Sequence, residues 1–260
     1  AAAGALFAEL RPEGWPPAAG EDGSEEDLEL LYGEVSIEGL AGILDWIEAA
    51  EAAEGPPLVP GRPEAPGPGP LPWPHGSCSF WDLGSGAGGA VVAAALLRPF
   101  ALCGGVELQR GLHEAAEGLA AAFSASAAQR LPFPPARLEL RCGDCCGDGE
   151  GPPCWAGADV VLLHATAFGA ELLGRVARAG LHLRAGAWLV SVSKPLPGVA
   201  SGAFALEGAA RLAMQYGEAK VFFQRRAPGA PAAGGLELEL QEAAEDEAEL
   251  RELLEAWAAE

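Results

Sequence analysis

The chain has 260 residues, half of them hydrophobic, and a formal net charge of −21 at pH 7. Such a chain can bury a sizeable core and is most simply one domain with appendages. Its charge argues against non-specific binding to nucleic acid, which depends on basic patches. No apolar run reaches the length of a membrane span. The six cysteines are not spaced like a secreted disulfide framework, which favours a reducing compartment.

Three stretches have the composition of appendages to a main domain at residues 77–226. Residues 1–27 mix proline, glycine and acidic residues, and we expect a loose lead-in there. Residues 55–76 are so rich in proline and glycine that they predict a linker. Residues 227–260 form an acidic tail with apolar residues at helical spacing, which indicates a helix. Because the chain starts at Ala1 without a methionine, we expect a fragment or an excised domain.

Residues 28–54 combine a turn with a helical pattern. The turn is Tyr32-Gly33-Glu34, and apolar residues recur at helical spacing after it. Ser36 is placed as the N-cap of this helix, and Gly39 is its weak point. An amphipathic helix explains the periodicity without any ligand, so the turn is the unusual part.

The domain is organised around the stretch CSFWDLGSGAGG, which begins at residue 78. An apolar strand runs into Asp82, and Gly84, Gly86 and Gly88 then form a turn at which backbone can approach a ligand. An apolar helix follows at once. Strand, glycine turn and helix together indicate the nucleotide-binding corner of a Rossmann-like sheet.

The ligand of this corner has more than one interpretation. Gly84, Gly86 and Gly89 also fit the GxGxxG pattern of dinucleotide sites, where the corner receives a pyrophosphate. A carboxylate at Asp82, two residues before the first glycine, instead suits a cationic, amine-bearing ligand such as S-adenosylmethionine. A buried turn without a ligand is the third interpretation. We predict the S-adenosylmethionine site.

The rest of the domain alternates apolar strands with helices. Residues 102–107, 137–142, 159–164 and 187–193 are predicted strands, and residues 204–225 look like an antiparallel hairpin at the sheet edge. This order predicts an α/β fold, the seven-stranded Rossmann-like sheet of class I S-adenosylmethionine-dependent methyltransferases, with helices on both faces.

Polar residues stand where these strands end. Glu107 ends the second strand about twenty residues past the glycines, where an acid bonds the ribose hydroxyls in nucleotide-binding sheets. Asp144 follows the third strand, and we expect it to face the adenine amino group. His164 ends the fourth strand beside the ligand corner, although a histidine bonded to backbone would explain it equally well.

Four cysteines lie close together in the sequence and raise the question of zinc: Cys142, Cys145, Cys146 and Cys154. Their spacing is irregular and no histidine lies between them, unlike structural zinc sites. We therefore expect small core or loop thiols and no metal site.

Six motifs, in their order and spacing, resemble the disruptor-of-telomeric-silencing family, the Dot1-like non-SET histone lysine methyltransferases. They are LYGEVSIEGLAGIL, FWDLGSGAGGAVV, GVE, the Gly143-Asp144 pair, VVLLHATAFGAELL and LVSVSKPLP. Many methyltransferases share the glycine turn, but the YGE, AFG and SKP segments together are more specific. The resemblance covers roughly residues 28–226.

The resemblance implies an S-adenosylmethionine-dependent protein-lysine N-methyltransferase in the nucleus, with a histone or another protein as its substrate and nucleosomes as a possible partner. The residues that it implies for cofactor binding are Tyr32, Gly33, Glu34, Asp82, Gly84, Ser85, Gly86, Gly88, Glu107, Asp144 and Cys145. Those that it implies for the lysine channel are His164, Phe168 and Phe222, or Phe223 in place of Phe222.

Methyl transfer from a sulfonium is an in-line displacement, so it needs positioning in a dry channel more than a nucleophile. Desolvation between Phe168 and Phe222 would lower the pKa of a lysine, and His164 could accept its proton or bond the amine.

The chain departs from the family pattern at both ends of the expected site. His164 replaces an asparagine, Val35 a threonine, Gly89 a glutamine and Cys145 an adenine-stacking phenylalanine, and phenylalanine replaces the channel tyrosine. The covered chain also contains no basic segment that would hold nucleosomal DNA. Two alternatives therefore stay open: a class I methyltransferase for a non-histone protein or a small molecule, in the cytoplasm if not the nucleus, or a non-catalytic cofactor-binding scaffold.

Overall fold

The computed structural model describes residues 2–11, 35–54, 77–126, 130–147, 151–199, 202–214 and 217–228. The predicted Tyr32-Gly33-Glu34 turn, the linker at residues 55–76 and nearly all of the acidic tail lie outside the described residues. None of the described helices combines the length and the apolar character that a bilayer span requires.

The described chain forms seven strands and five α-helices. The strands are β1 Ser79–Leu83, β2 Leu102–Glu107, β3 Arg137–Cys142, β4 Val160–His164, β5 Trp188–Val192, β6 Phe204–Met214 and β7 Gly217–Arg226. The helices are α1 Ala2–Leu10, α2 Ile37–Glu54, α3 Gly89–Leu97, α4 Arg110–Ser126 and α5 Ala170–Gly180, and a short 3-10 helix covers Ala165–Ala167.

All seven strands belong to one sheet, in the order β3-β2-β1-β4-β5-β7-β6. The first five are parallel to one another, while β7 is antiparallel to both β5 and β6. The prediction of a seven-stranded class I methyltransferase sheet is thereby confirmed. The strand order reverses between β1 and β4, and in open α/β sheets ligands bind beyond the carboxyl ends of the strands at this point.

Helices cover both faces of the sheet, as predicted. The core on one face joins α1, α2, α3 and α4 to strand residues such as Phe80 and Val160. The core on the other face joins α5 to residues such as Trp81 and Val161. Because consecutive strand residues point to opposite faces, the apolar runs of β1 and β4 supply both cores.

The helix α1 falls within the lead-in that we predicted to be loose. Leu6, Phe7 and Leu10 are buried in the core that α3 and α4 also line. The prediction was wrong for this part of the segment because the prolines and most of the acidic residues begin only after residue 10. The composition of the whole stretch concealed a short apolar helix.

Ser36 is confirmed as the N-cap of α2. Gly39, which we predicted to weaken this helix, has a structural role instead. The Gly39 N–H donates to Ser36 Oγ at 3.0 Å, and Ser36 Oγ donates to the Ala213 carbonyl of β6 at 3.1 Å. A Cβ on Gly39 would lie only 2.1 Å from that same carbonyl oxygen. Glycine is therefore needed at residue 39 for the close approach of α2 to the sheet.

Candidate active site

A cavity of about 630 Å³ lies beyond the carboxyl ends of β1, β2, β3 and β4. Its volume is in the range of sites for cofactors and drug-sized ligands. The predicted site residues that it brings together are Asp82, Gly84, Ser85, Gly86, Glu107, Asp144, Cys145, His164 and Phe168. Most of the side chains singled out from the sequence therefore share one space at the point where the strand order reverses.

The glycine turn is hydrogen-bonded to the end of β2. The N–H groups of Gly84 and Ser85 both donate to the Val106 carbonyl, at 2.9 and 3.0 Å. Gly84 has a φ of +76°, and a Cβ on it would lie 3.3 Å from Phe168 Cζ. The turn thus needs a residue without a side chain at this position.

Glu107 is held at the end of β2 by two backbone donors. Its side chain is buried, Oε2 accepts from the Gly86 N–H at 2.8 Å, and Oε1 accepts from the Gln109 N–H at 2.7 Å. Each carboxylate oxygen has a second lone pair, so both can still accept a hydroxyl hydrogen. This arrangement leaves acceptor capacity for the ribose hydroxyls that we predicted Glu107 to bind.

Asp82 is the other buried carboxylate of the cavity, with 5% of its surface exposed. It lies in β1 between Gly105 of β2 and Leu162 of β4. A buried carboxylate in a ligand cavity attracts a cationic group strongly, because the protein interior screens charge less than water does.

Asp144 is engaged by two donors within the protein. The Cys146 N–H donates to Oδ1 at 2.8 Å, and the Arg175 guanidinium pairs with Oδ2. Burial disfavours the charge, but these two hydrogen bonds together hold the pKa of Asp144 below its ordinary value. Its predicted contact with adenine stays a prediction.

Arg175 is a cavity residue that sequence reasoning missed. It lies within α5, and its partner Asp144 is 31 residues away in the chain. One arginine in an amphipathic helix carries no local signal of such a pairing, so only the fold reveals it.

His164 ends β4 and faces the cavity. Burial lowers its pKa to about 4, so the imidazole is neutral at physiological pH. A group of such low basicity is poorly suited to take a proton from a lysine ammonium. The structure therefore favours a neutral hydrogen-bonding role for His164 over the general-base role that we considered.

Phe168 is held by the segment that follows β5. Lys194 Nζ donates to the Phe168 carbonyl at 2.8 Å, and the hydroxyls of Thr166 and Ser193 are hydrogen-bonded at 2.7 Å. Ser193 has a φ of +73°, unusual for a residue with a side chain. The AFG and SKP segments that carried the family resemblance are thus direct neighbours.

Gly88 was predicted to bind cofactor, but it does not line the cavity. It precedes α3 with a φ of +83°, and a Cβ on it would lie 2.9 Å from Ala116 Cβ of α4. Its glycine is explained by the packing of α3 against α4.

The structure also does not bring Phe222 to the cavity. Phe222 is buried in β7 opposite Ser191 of β5, and Phe223 stacks on Trp46 of α2. Phe223 does not line the cavity either. Sequence spacing located the strand but not its distance from the cavity.

Residues 75–200 match the family model described as "Histone methylation protein DOT1". Over these residues the resemblance stated from the motifs is confirmed. No curated protein sequence matches the chain.

The chain also resembles solved structures, including two whose descriptions name a methyltransferase. Magnesium protoporphyrin IX methyltransferase from Synechocystis PCC 6803, with bound SAM, has a TM-score of 0.46 and 13% identity, covering 87% of this chain and 98% of its own. TrmN from Thermus thermophilus has a TM-score of 0.43 and 17% identity, covering 58% and 44%. A putative RNA methyltransferase from Pyrococcus horikoshii has a TM-score of 0.42 and 12% identity, covering 74% and 83%.

Proposed function

We infer, from a Dot1-like domain at residues 75–200, that this chain is an S-adenosylmethionine-dependent protein-lysine N-methyltransferase of the histone type. The observation that carries the proposal is that nearly all residues that line the cavity lie in the matched range. Asp82, Glu107 and Phe168 all lie within the matched range and line the same space.

The described residues fit S-adenosylmethionine. When bound, this cofactor supplies an activated methyl group on a sulfonium centre. Asp82 offers a buried carboxylate to a cationic ligand, and Glu107 offers acceptor oxygens that two backbone N–H groups hold in place. Gly84 gives the turn room for the Phe168 ring, which lines the same cavity. Because Glu107 is already fixed by Gly86 and Gln109, little ordering is required when a ligand arrives.

The target amine would enter past Phe168 and His164. An apolar ring and a half-buried imidazole disfavour the charged ammonium, so they favour the neutral amine that can accept a methyl group. His164 is itself uncharged at neutral pH and adds no repulsion. The residues thus hold and desolvate the amine, and its proton leaves to solvent before transfer.

A histone substrate would place the enzyme in the nucleus, acting on chromatin. The net charge of −21 opposes contact with nucleosomal DNA and suits a basic histone tail or free histone better. We therefore propose that the histone surface, rather than the DNA, supplies the electrostatic attraction to this chain.

Tritium transfer from labelled S-adenosylmethionine tests the proposal, with nucleosomes, free histones, a cell extract and free small amines offered separately. We expect label on a histone lysine, and none with the Glu107→Ala variant. Label only on a non-histone protein or a small amine would overturn the histone assignment. Cofactor binding without label on any of these substrates would favour a scaffold.

A further inference from the structure

Two thiols and a carboxylate meet in the turn after β3. The ligand atoms of Asp144, Cys145 and Cys146 all lie within 4.8 Å of one another. The spacing of the thiols and the lack of a histidine between them predicted no metal site. The third ligand is the carboxylate that immediately precedes the two cysteines.

The turn that presents these three residues is fixed on several sides. The Gly143 N–H donates to the Glu107 carbonyl at 2.9 Å, and the Gly147 N–H donates to the Asp144 carbonyl at 3.0 Å. The indole N–H of the fully buried Trp155 donates to the Cys145 carbonyl at 2.7 Å. The backbone that carries the three ligand atoms is therefore held by contacts with β2 and Trp155.

The donor set suits a thiophilic divalent ion. Zinc binds cysteine thiolates and carboxylates, and three protein ligands leave its fourth tetrahedral position open to water. Binding would form two metal–sulfur bonds and one metal–oxygen bond, with both thiol protons released to solvent and no change of oxidation state. The charge of the three ligands would be balanced by the ion together with Arg175, which already pairs with Asp144.

Two of the three proposed ligands also line the expected cofactor cavity. Gly143, Asp144 and Cys145 line it, on the side where we expect the adenine ring. The side chains of Asp144 and Cys145 cannot ligate a metal ion and contact adenine in the same way at once.

We propose that Asp144, Cys145 and Cys146 bind a zinc-class divalent metal ion, and that this ion and the adenine end of S-adenosylmethionine exclude each other. The second half of the proposal rests on the proposed function. The first half does not, because metal binding is measured on the protein alone.

Metal binding is tested by titrating the reduced protein with Co²⁺, whose thiolate complexes show a charge-transfer absorption, and by competing Zn²⁺ against a chromophoric chelator. We expect one ion per chain with thiolate absorption. The Cys146→Ser and Asp144→Asn variants should bind at least tenfold more weakly. Cys142→Ser, an exposed cysteine outside the cluster, is the matched control and should bind like the wild type. Equal binding by the wild type and Cys146→Ser would overturn the site.

Competition is tested by calorimetric titration of S-adenosylmethionine with and without saturating Zn²⁺. We expect the ion to weaken cofactor binding at least tenfold in the wild type and to have no effect in Cys146→Ser, whose side chain does not line the cavity. Unchanged affinity in the zinc-loaded wild type would overturn the mutual exclusion. Absence of cofactor binding in metal-free protein would instead contradict the proposed function and leave the metal result standing.

Discussion

The ring of Phe168 lies over Gly84 so closely that a Cβ on Gly84 would stand 3.3 Å from Phe168 Cζ. Gly84 follows β1 and Phe168 follows the short helix after β4. This contact joins the two sides of the cavity across the point where the strand order reverses. The cofactor turn and the expected amine entrance therefore cannot change independently.

Gly84→Ala should impair both stability and cofactor binding. The methyl group would press on Phe168, and the φ of +76° would cost alanine about 1–2 kcal/mol. We expect a lower free energy of unfolding in urea and weaker S-adenosylmethionine binding by calorimetry. Gly118→Ala is the control, since Gly118 lies in α4 with open space around it and should gain about 0.5–1 kcal/mol. A Gly84→Ala variant as stable as the wild type would contradict the contact.

Cofactor affinity should depend strongly on Glu107. Glu107→Ala removes both acceptors of the Gly86 and Gln109 N–H groups as well as the expected ribose contacts. Hydrogen bonds to charged groups contribute about 1.5–3 kcal/mol each, so we expect at least a hundredfold loss of affinity. Asp82→Ala should have a comparable effect. Calorimetric titration checks this, with Cys142→Ser expected to bind normally. Unaltered affinity in Glu107→Ala would remove the ribose assignment.

The acidic residues of this site could be predicted because strand endings are visible in sequence. An apolar run that stops at a carboxylate fixes that carboxylate at the carboxyl edge of a parallel sheet, which is why Asp82 and Glu107 share one cavity. The same logic did not apply to Phe222, because its strand is antiparallel and lies beyond β5. Nor did it apply to Arg175, whose position depends on how α5 packs against the sheet.

Gly39→Ala should destabilise the protein, contrary to ordinary helix propensity. Alanine is the better helix former, yet its Cβ would lie 2.1 Å from the Ala213 carbonyl oxygen, and backbone gives way less readily than a side chain. We expect a loss of about 1–3 kcal/mol in denaturant unfolding. Gly42→Ala, one turn further along α2, meets only the flexible Leu212 side chain at 3.2 Å and should change stability little. A stabilised Gly39→Ala variant would show that α2 does not approach β6 so closely.

Stability should fall in mild acid through His164. Its pKa is lowered from 6.5 to about 4 by burial, so between these values the unfolded chain binds a proton that the folded protein does not. The free energy of unfolding is therefore unaffected by His164 protonation above pH 6.5. It decreases as the pH falls from 6.5 toward 4.

The His164→Asn variant isolates this effect, because the carboxylates that also titrate in acid are common to both proteins. The wild type should lose about 1–2 kcal/mol more than the variant between pH 7 and pH 4, less than the full pKa shift implies since the ring is partly exposed. Urea unfolding at each pH measures it. Parallel pH profiles would show that the imidazole is already solvated.

The packing of α2 includes one contact that the local sequence predicts and one that it does not. The N-cap at Ser36 was predictable, because its donor is three residues away. The second role of Ser36, as donor to Ala213, joins residues 177 positions apart. A glycine that looks like a defect in an isolated helix is, at Gly39, a requirement of this distant contact.

These distant contacts also join the start of the described chain to its last two strands. Ser36, Trp46 and Glu51 of α2 contact the β6–β7 hairpin, up to 177 residues later in the chain. Closing so long a loop is entropically unfavourable until the rest of the sheet exists. The contacts between α2 and the hairpin therefore form only once β7 is available, and Val35, which lines the cavity, is the residue next to Ser36. The wall of the cavity at Val35 thus depends on strands from the far end of the described chain.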